Sequence, residues 1–186
     1  MREAAANFPG LRVGAAIKSS SLTGGTAAYA NTVRYELNAA SPENDLKWGT
    51  LRPTQAPFAW ASADAIATFN RAAGQQMRGH TYQWYKSSSL PAWLTGGGFT
   101  ASQLQAILYD HVDQVGAHYR GDCFVWDVVN EAFNDNGTLR TGNIWYDAPG
   151  IGYAGLGTRH IEETFIRAAT ADPDFVPVQI GRASCR

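Results

Sequence analysis

Cysteine and long hydrophobic runs are scarce in this sequence. Only Cys123 and Cys185 occur among the 186 residues, which is too few for a disulfide scaffold or a structural zinc site. No apolar run approaches the roughly 18 residues that a membrane span requires. The first residues, Met-Arg-Glu-Ala-Ala-Ala, lack the apolar core of a signal peptide. We therefore expect neither an integral membrane protein nor a signal peptide in this sequence.

Charge is also low and balanced. The 15 Lys and Arg residues against 16 Asp and Glu residues give a formal net charge of -1, so no basic face for nucleic acid is expected. The hydrophobic share of 45% instead indicates one folded domain with a sizeable core. Few charges combined with six Trp residues suit an uncharged ligand that is held by hydrogen bonds and flat aromatic faces.

Strand-length apolar runs alternate with segments of helical period along the chain. The runs are residues 11–17, 36–41, 76–84 and 123–129, and the helical segments are 26–35, 62–73, 100–119 and 159–169. This alternation predicts parallel βα units and an α/β fold, although period alone does not choose between a doubly wound sheet and a (β/α)8 barrel. Ser62 is expected to cap its helix, and Thr100 with Gln103 forms a capping-box pattern. The Gly-, Asn- and Asp-rich residues 134–157 predict a long loop.

Polar and aromatic side chains cluster where three of the predicted strands end. They are Glu43, Asn44 and Lys47 after the second strand, His80 and Trp84 at the end of the third, and Asn130 and Glu131 after the fourth. In α/β folds the carboxyl ends of parallel strands meet on one face, where binding and catalytic sites are built. We therefore expect these seven residues to line a common cleft.

Three motifs at these strand ends occur in a fixed order. They are Ser-Pro-Glu-Asn-Asp-Leu-Lys-Trp at 41–48, Arg-Gly-His-Thr-Tyr-Gln-Trp at 78–84 and Trp-Asp-Val-Val-Asn-Glu-Ala-Phe at 126–133. With their neighbours over residues 8–173, they resemble the N-terminal half of glycoside hydrolase family 10, the endo-β-1,4-xylanases. The resemblance implies a (β/α)8 TIM barrel, represented here by about its first four βα units. Residues 1–186 would then be a partial catalytic domain.

The resemblance also implies roles for the seven residues. Glu131 would be the general acid/base of retaining hydrolysis, Asn130 would hydrogen-bond the sugar 2-OH, and the other five would hold the glycone-side sugars. Retaining hydrolysis needs a second carboxylate about 5–5.5 Å away, which the family carries on its seventh strand. No acidic residue after Glu131 stands in a matching context, so we expect this chain to be inactive by itself.

The same resemblance implies xylan or xylo-oligosaccharides as substrate, no metal or organic cofactor, a secreted location and a monomeric full-length protein. Simpler interpretations of the residues stay open. Glu131 could be an ordinary loop carboxylate, Glu43 and Lys47 a surface ion pair, and His80 and Trp84 core residues. A non-catalytic xylan-binding module or pseudoenzyme would fit the same pattern, and so would an enzyme acting on β-1,4-glucan.

Three other ionisable residues are given no functional role. Asp127 lies within the fourth predicted strand and is interpreted as structural. His111 and His118 are seven residues apart on one helix face, but no third ligand is near, so a metal site is not expected.

The sequence departs from the family pattern at several positions. Tyr85 stands where the family commonly has His, and Arg52 stands where it commonly has Glu. After Pro173 the chain no longer follows the family, whose fifth strand usually ends in Asn-Asp. Pro177 would also remove a ladder donor from a central strand. We interpret the final residues as foreign or frame-altered sequence.

Overall fold

The structure is a computed structural model that describes residues 1–147, 150–151 and 157–180. Its strands are β1 (Gly14–Ile17), β2 (Ala39–Pro42), β3 (Gln76–Trp84), β4 (Cys123–Asn130) and β5 (Val176–Ile180). Its α-helices are α1 (Arg2–Ala5), α2 (Ser19–Thr23), α3 (Ala27–Glu36), α4 (Trp48–Leu51), α5 (Ala61–Ala72), α6 (Ala92–Thr95), α7 (Ala101–His118) and α8 (Arg159–Ala171), with a 3-10 turn at Ser87–Ser89. Each pair of consecutive strands is joined through at least one helix.

The five strands form one sheet in chain order, and every neighbouring pair is parallel. Parallel neighbours require crossover connections, which the helices supply. The predicted α/β class is therefore confirmed. The strand order also does not reverse, whereas doubly wound sheets reverse their order at a switch point. An unreversed order is that of successive strands in a (β/α)8 barrel.

The observed strands match the predicted ones best in the interior of the sheet. The third strand has the predicted bounds, and the fourth extends by one residue to Asn130. The first strand begins only at Gly14, because the main-chain N–H of Val13 donates to the side-chain Oδ1 of Asn38 at 2.7 Å. The second begins later than predicted because α3 continues through Glu36.

The two predicted helix caps have opposite outcomes. The Thr100 capping box at α7 is confirmed, since its Oγ1 accepts from the Gln103 main-chain N–H and the Gln103 side chain accepts from the Thr100 N–H. The Ser62 cap is wrong, because Ser62 lies inside the first turn of α5 and Trp60 occupies the N-cap position. Trp60 stacks on the His118 ring at 4.0 Å between ring centroids. At the start of α5, the N-cap residue therefore packs against another helix, and no Ser62 hydroxyl caps the helix.

The core lies between the sheet and its helices and is rich in aromatic side chains. Almost every residue of β4 is buried, as predicted for a strand that is covered on both faces. Trp126 of β4 stacks on Tyr82 of β3 at 4.2 Å. A Cβ at Gly79 would overlap the Trp126 indole, so this close approach requires glycine. The largest fully buried side chains are Trp48, Trp126, Trp145, Tyr82, Tyr85 and Tyr119.

The predicted loop over residues 134–157 connects β4 to α8. Its described part contains neither helix nor strand, and only a single bridge joins Phe133 to Leu139. Residues 148–149 and 152–156 of this prediction lie outside the described residues. Trp145 is completely buried, and its Nε1 donates to the main-chain oxygen of Trp84 at 2.7 Å. The loop is thereby tied to the end of β3.

β5 forms despite Pro177. It pairs in parallel with β4, and Pro177 lies opposite Trp126 in the ladder. Among the described residues β5 has a strand partner on one side only, and proline is tolerated on such edge strands. The expectation that Pro177 weighs against a strand here is therefore wrong. Residues 181–186 lie outside the described part of the chain, so their interpretation as foreign sequence stays a prediction.

No helix within the described residues is both long enough and apolar enough to cross a bilayer.

Replacing Thr100 with Ala removes the hydroxyl that accepts the Gln103 N–H at the start of α7. We expect the free energy of unfolding to fall by about 1 kcal/mol, as is typical for loss of an N-cap. Urea unfolding followed by circular dichroism measures this difference. Ser102→Ala is the matched control, because Ser102 is exposed in the same turn. Equal stability of the two variants would contradict the capping role.

Candidate active site

Six of the seven residues predicted to form a cleft lie at or just after the carboxyl ends of β2, β3 and β4. His80 does not lie at a strand end as predicted, because it is the fifth of the nine residues of β3. Those that follow β2 contact one another: Lys47 Nζ donates to Asn44 Oδ1 at 2.9 Å, and Asn44 Nδ2 donates to Glu43 Oε1 at 3.4 Å. Lys47 Nζ also lies 5.3 Å from the centroid of the Trp84 ring. This cation–π contact links the end of β2 to the end of β3.

Trp84 and Glu131 are joined directly. The indole Nε1 of Trp84 donates to Glu131 Oε2 at 2.9 Å. Asn130 lies opposite Trp84 in the β3–β4 ladder, and its main-chain oxygen accepts the N–H of Tyr85 at 3.0 Å. The end of β3 therefore contacts both residues at the end of β4.

The backbone of Glu131 has an uncommon conformation. Its φ is +58°, and it is the one non-glycine residue with positive φ in the described part of the chain. A non-glycine residue in this region costs on the order of 1–3 kcal/mol and persists only where its surroundings impose it. Here the main-chain N–H of Glu131 donates to the Ile180 oxygen of β5 at 2.9 Å. Strain of this kind is concentrated at functional sites.

His80 belongs to a charged group inside the sheet. Its Nδ1 lies 2.9 Å from Asp127 Oδ2, and Arg78 Nη2 donates to Asp127 Oδ1 at 2.6 Å. Asp127 is 2% exposed. The edge of the His80 ring also faces Trp84, with 5.4 Å between ring centroids. Side-chain contacts thus link six of the seven predicted residues, namely Glu43, Asn44, Lys47, Trp84, His80 and Glu131. Asn130 is joined to them through its main chain.

Sequence reasoning missed two residues that contact this cluster. Lys18 Nζ lies 3.5 Å from Glu43 Oε1, and Lys18 directly follows β1, so the strand-end rule applied to the other strands would have found it. Asp127 was interpreted only as structural. Its pairing opposite His80 in the ladder depends on the register between two strands, which a single sequence does not specify.

The two departures from the family pattern are both buried. The hydroxyl of Tyr85 contacts His160 Nε2, and His160 Nδ1 lies 3.0 Å from the Gly157 oxygen. Burial raises the pKa of Tyr85 above its usual range and lowers the pKa of His160 to about 4. Arg52 Nη2 donates to Asp110 Oδ2 at 2.7 Å. Both substituted side chains therefore have partners within the fold.

The two histidines of α7 occupy different environments. His111 is completely buried and stacks on Trp48 at 3.7 Å, and burial lowers its pKa well below the usual value. His118 is partly exposed, with Nε2 2.7 Å from Asp64 Oδ1. No cluster of three or more His, Cys, Asp or Glu side chains suited to a metal ion occurs among the described residues.

The model of glycosyl hydrolase family 10 matches residues 1–177. The chain is 39% identical over 134 residues to endo-1,4-beta-xylanase C of Phanerodontia chrysosporium, covering 72% of this chain and 31% of that protein. It is 36% identical over 148 residues to endo-1,4-beta-xylanase B of Thermotoga neapolitana, covering 80% of this chain and 40% of that protein.

Solved structures show the same fold. Xylanase 10B of Thermotoga petrophila in complex with xylobiose superposes with a TM-score of 0.84 at 34% identity, over 96% of this chain and 51% of that one. Native xylanase 10B of Thermotoga maritima gives a TM-score of 0.79, also at 34% identity, over 91% of this chain and 49% of that one. The expected (β/α)8 barrel, here in part, is confirmed. The chain spans about half the length of these structures and about a third of the curated relatives.

His160 gives the protein a predictable response to acid. Its pKa of about 4 in the folded chain lies below the value of about 6.5 in an unfolded chain. The unfolded state therefore binds a proton first as the pH falls. The stability that neutral His160 supports is complete above about pH 6.5 and is lost as the pH decreases towards 4.

Replacing His160 with Gln removes this titration. Below pH 6.5 we expect the free energy of unfolding of the wild type to fall more steeply than that of His160→Gln, by up to about 1.4 kcal/mol per pH unit. Denaturant unfolding at a series of pH values between 7 and about 4 measures the two slopes. Equal slopes would contradict the effect of His160 burial.

Proposed function

Because the chain belongs to glycosyl hydrolase family 10, we propose that the complete protein cleaves internal β-1,4-xylosidic linkages of xylan with retention of configuration. The observation that carries the proposal is the Glu131 carboxylate, held at the end of β4 by the Trp84 indole N–H. Protonation of a glycosidic oxygen requires a carboxyl group that is held in position. The relatives named as endo-1,4-beta-xylanases support this reaction.

Glu131 is assigned the general acid/base role. As the acid it gives a proton to the glycosidic oxygen while the bond to the anomeric carbon breaks. As the base it then takes a proton from the water that hydrolyses the glycosyl-enzyme intermediate. The hydrogen bond from Trp84 orients the carboxylate, which supplies the orientation that both steps need. Asn130 is assigned to the sugar 2-OH, a contact that strengthens in the transition state.

The glycone-side sugars are assigned to the residues that follow β2 and β3. Glu43, Asn44 and Lys47 offer carboxylate, amide and ammonium groups, which suit vicinal hydroxyls. His80 adds a ring nitrogen, and Trp84 adds a flat apolar face for a sugar ring. Their mutual contacts support a preformed binding surface. The xylobiose found with the Thermotoga petrophila relative supports a xylo-oligosaccharide as the ligand.

A retaining mechanism also needs a nucleophilic carboxylate about 5–5.5 Å from the acid/base. Among the described residues, the acidic side chains that follow Glu131 lie in the loop after β4, on α8 or just before β5. Asp172 before β5 accepts the main-chain N–H of Gly121, and Glu163 on α8 is 3.4 Å from Arg159. We therefore assign the nucleophile to none of them. Residues 1–186 alone would bind xylo-oligosaccharides without hydrolysing them.

The presence of the sugar-binding residues without an assigned nucleophile favours a second candidate function for the isolated chain, namely non-catalytic xylan binding.

For the complete protein we propose a monomer that acts outside the cell, because a polymeric polysaccharide cannot cross a membrane to an internal enzyme. Every group assigned above is a protein side chain, so the proposed chemistry uses no metal or organic cofactor.

Binding and hydrolysis by the 186-residue chain are the first test. We expect NMR titration with xylobiose to show saturable binding, and we expect no release of reducing ends from xylan. Trp84→Ala should weaken binding at least about fivefold, because it removes the aromatic face. The control is Trp93→Phe, since Trp93 is half-buried and donates to Arg52 outside the cluster. Absence of wild-type binding would contradict the site, and hydrolysis would contradict the assignment of the nucleophile.

Glu131→Gln in the complete protein tests catalysis itself. We expect kcat to fall by about 10²–10⁴-fold, because amide cannot transfer the proton, while affinity for xylobiose changes little. Steady-state assays on xylan and calorimetric titration measure the two effects. Glu162→Gln on the exposed side of α8 is the control. If the wild-type complete protein binds xylobiose but does not hydrolyse xylan, it is a binding module.

A further inference from the structure

Asp127 is a buried carboxylate whose two oxygens have different partners. Oδ1 accepts from Arg78 Nη2 at 2.6 Å, and Oδ2 lies 2.9 Å from His80 Nδ1 and 3.3 Å from Arg78 Nε. The Asp127 side chain is 2% exposed, whereas that of Arg78 is 43% exposed. Arg78 therefore balances the buried charge while its own guanidinium remains hydrated.

These contacts decide which ring nitrogen of His80 carries the hydrogen. An ionised carboxylate only accepts hydrogen bonds, so Nδ1 of neutral His80 must donate to Oδ2. The hydrogen is then absent from Nε2, which keeps its lone pair. Nε2 has no protein partner among the described residues. The ring lies beside Trp84, whose Nε1 already donates to Glu131.

We infer that Asp127 is a positioning residue: it fixes neutral His80 in the Nδ1-protonated tautomer, so that Nε2 accepts a hydrogen bond from a sugar hydroxyl. The tautomer follows from the geometry of Asp127, and only the identity of the ligand rests on the proposed function. His80 is thereby an acceptor in the site, in contrast to the donors supplied by Lys47 and Asn44. Asp127 itself is 2% exposed, so it acts on the ligand only through His80.

Arg78 determines which atom of the residue 127 side chain faces His80. Guanidinium groups only donate, so Arg78 requires an oxygen at its short contact with residue 127. In Asp127→Asn the single amide oxygen would keep the 2.6 Å contact with Arg78 Nη2, and the amide NH2 would face His80 Nδ1, with loss of the longer 3.3 Å contact to Arg78 Nε. His80 would then accept at Nδ1 and carry its hydrogen on Nε2. This nearly isosteric change converts the ligand-facing nitrogen from acceptor to donor.

The wild-type chain provides the first experiment together with an internal control. Long-range 1H–15N correlation NMR distinguishes the two neutral histidine tautomers at about pH 8, above the usual histidine pKa of about 6.5. We expect His80 to be protonated on Nδ1. His118 should be protonated on Nε2, because that nitrogen contacts Asp64 at 2.7 Å. Neutral His80 protonated on Nε2 overturns the inference, whether or not any sugar binds.

The variant experiment then measures the consequence for binding. Asp127→Asn should switch His80 to the Nε2-protonated tautomer and weaken xylobiose binding by about tenfold, the effect expected for one mispaired hydrogen bond. Asp64→Asn, which alters the exposed His118 pair, should leave affinity unchanged. An unchanged His80 tautomer in folded Asp127→Asn overturns the inference.

The two proposals fail in distinguishable ways. If the wild-type chain does not bind xylobiose but His80 is protonated on Nδ1, the proposed ligand is overturned. The same result supports the role of Asp127 in setting the tautomer. If Asp127→Asn does not fold, the wild-type tautomer still decides the inference.

Discussion

The pairing of β3 with β4 is the constraint on which the site depends. In this ladder His80 lies opposite Asp127, and Trp84 lies opposite Asn130, which immediately precedes Glu131. A slip of one residue would turn every side chain of one strand to the other face. It would separate His80 from Asp127, and it would separate Trp84 from Glu131, the proposed acid. Trp126 also packs against Gly79 across the same two strands. The register of β3 and β4 therefore determines both this core contact and the arrangement of the site.

Two ion pairs lie near the site. Lys18 lies near Glu43, and Arg78 neutralises Asp127. The exposed Lys18–Glu43 pair contributes little stability, but it limits the net charge offered to a ligand. The ammonium of Lys47 and the carboxylate of Glu131, one charge of each sign, remain beside the ring of Trp84. Such a surface matches an uncharged, hydroxyl-rich sugar better than a charged ligand, which agrees with the low net charge of the whole chain.

Strand-end reasoning predicted that these side chains would come together, because the direction of parallel strands follows from the chain alone. Because strands and helices alternate, residues as distant as Glu43 and Glu131 can be predicted to lie at the same end of the sheet. This prediction needs no information about side-chain contacts. The failures have a different origin. Ser62 was expected to cap α5 from local chemistry, but Trp60 packs against His118 across the fold. The contact between Asp127 and His80 depends on interstrand register, and β5 pairs with β4 despite Pro177.

The orientation of Glu131 rests on an aromatic framework that extends into the core. His111 stacks on Trp48, Trp48 contacts Trp145, and Trp145 Nε1 donates to the main-chain oxygen of Trp84. The Trp84 indole then donates to Glu131. Each member of this series is a flat, rigid group with few rotatable bonds, so little conformational freedom remains to be lost when a ligand binds. Burial therefore fixes Trp48 and Trp145, and the indole N–H groups of Trp145 and Trp84 pass that fixed position to the carboxylate.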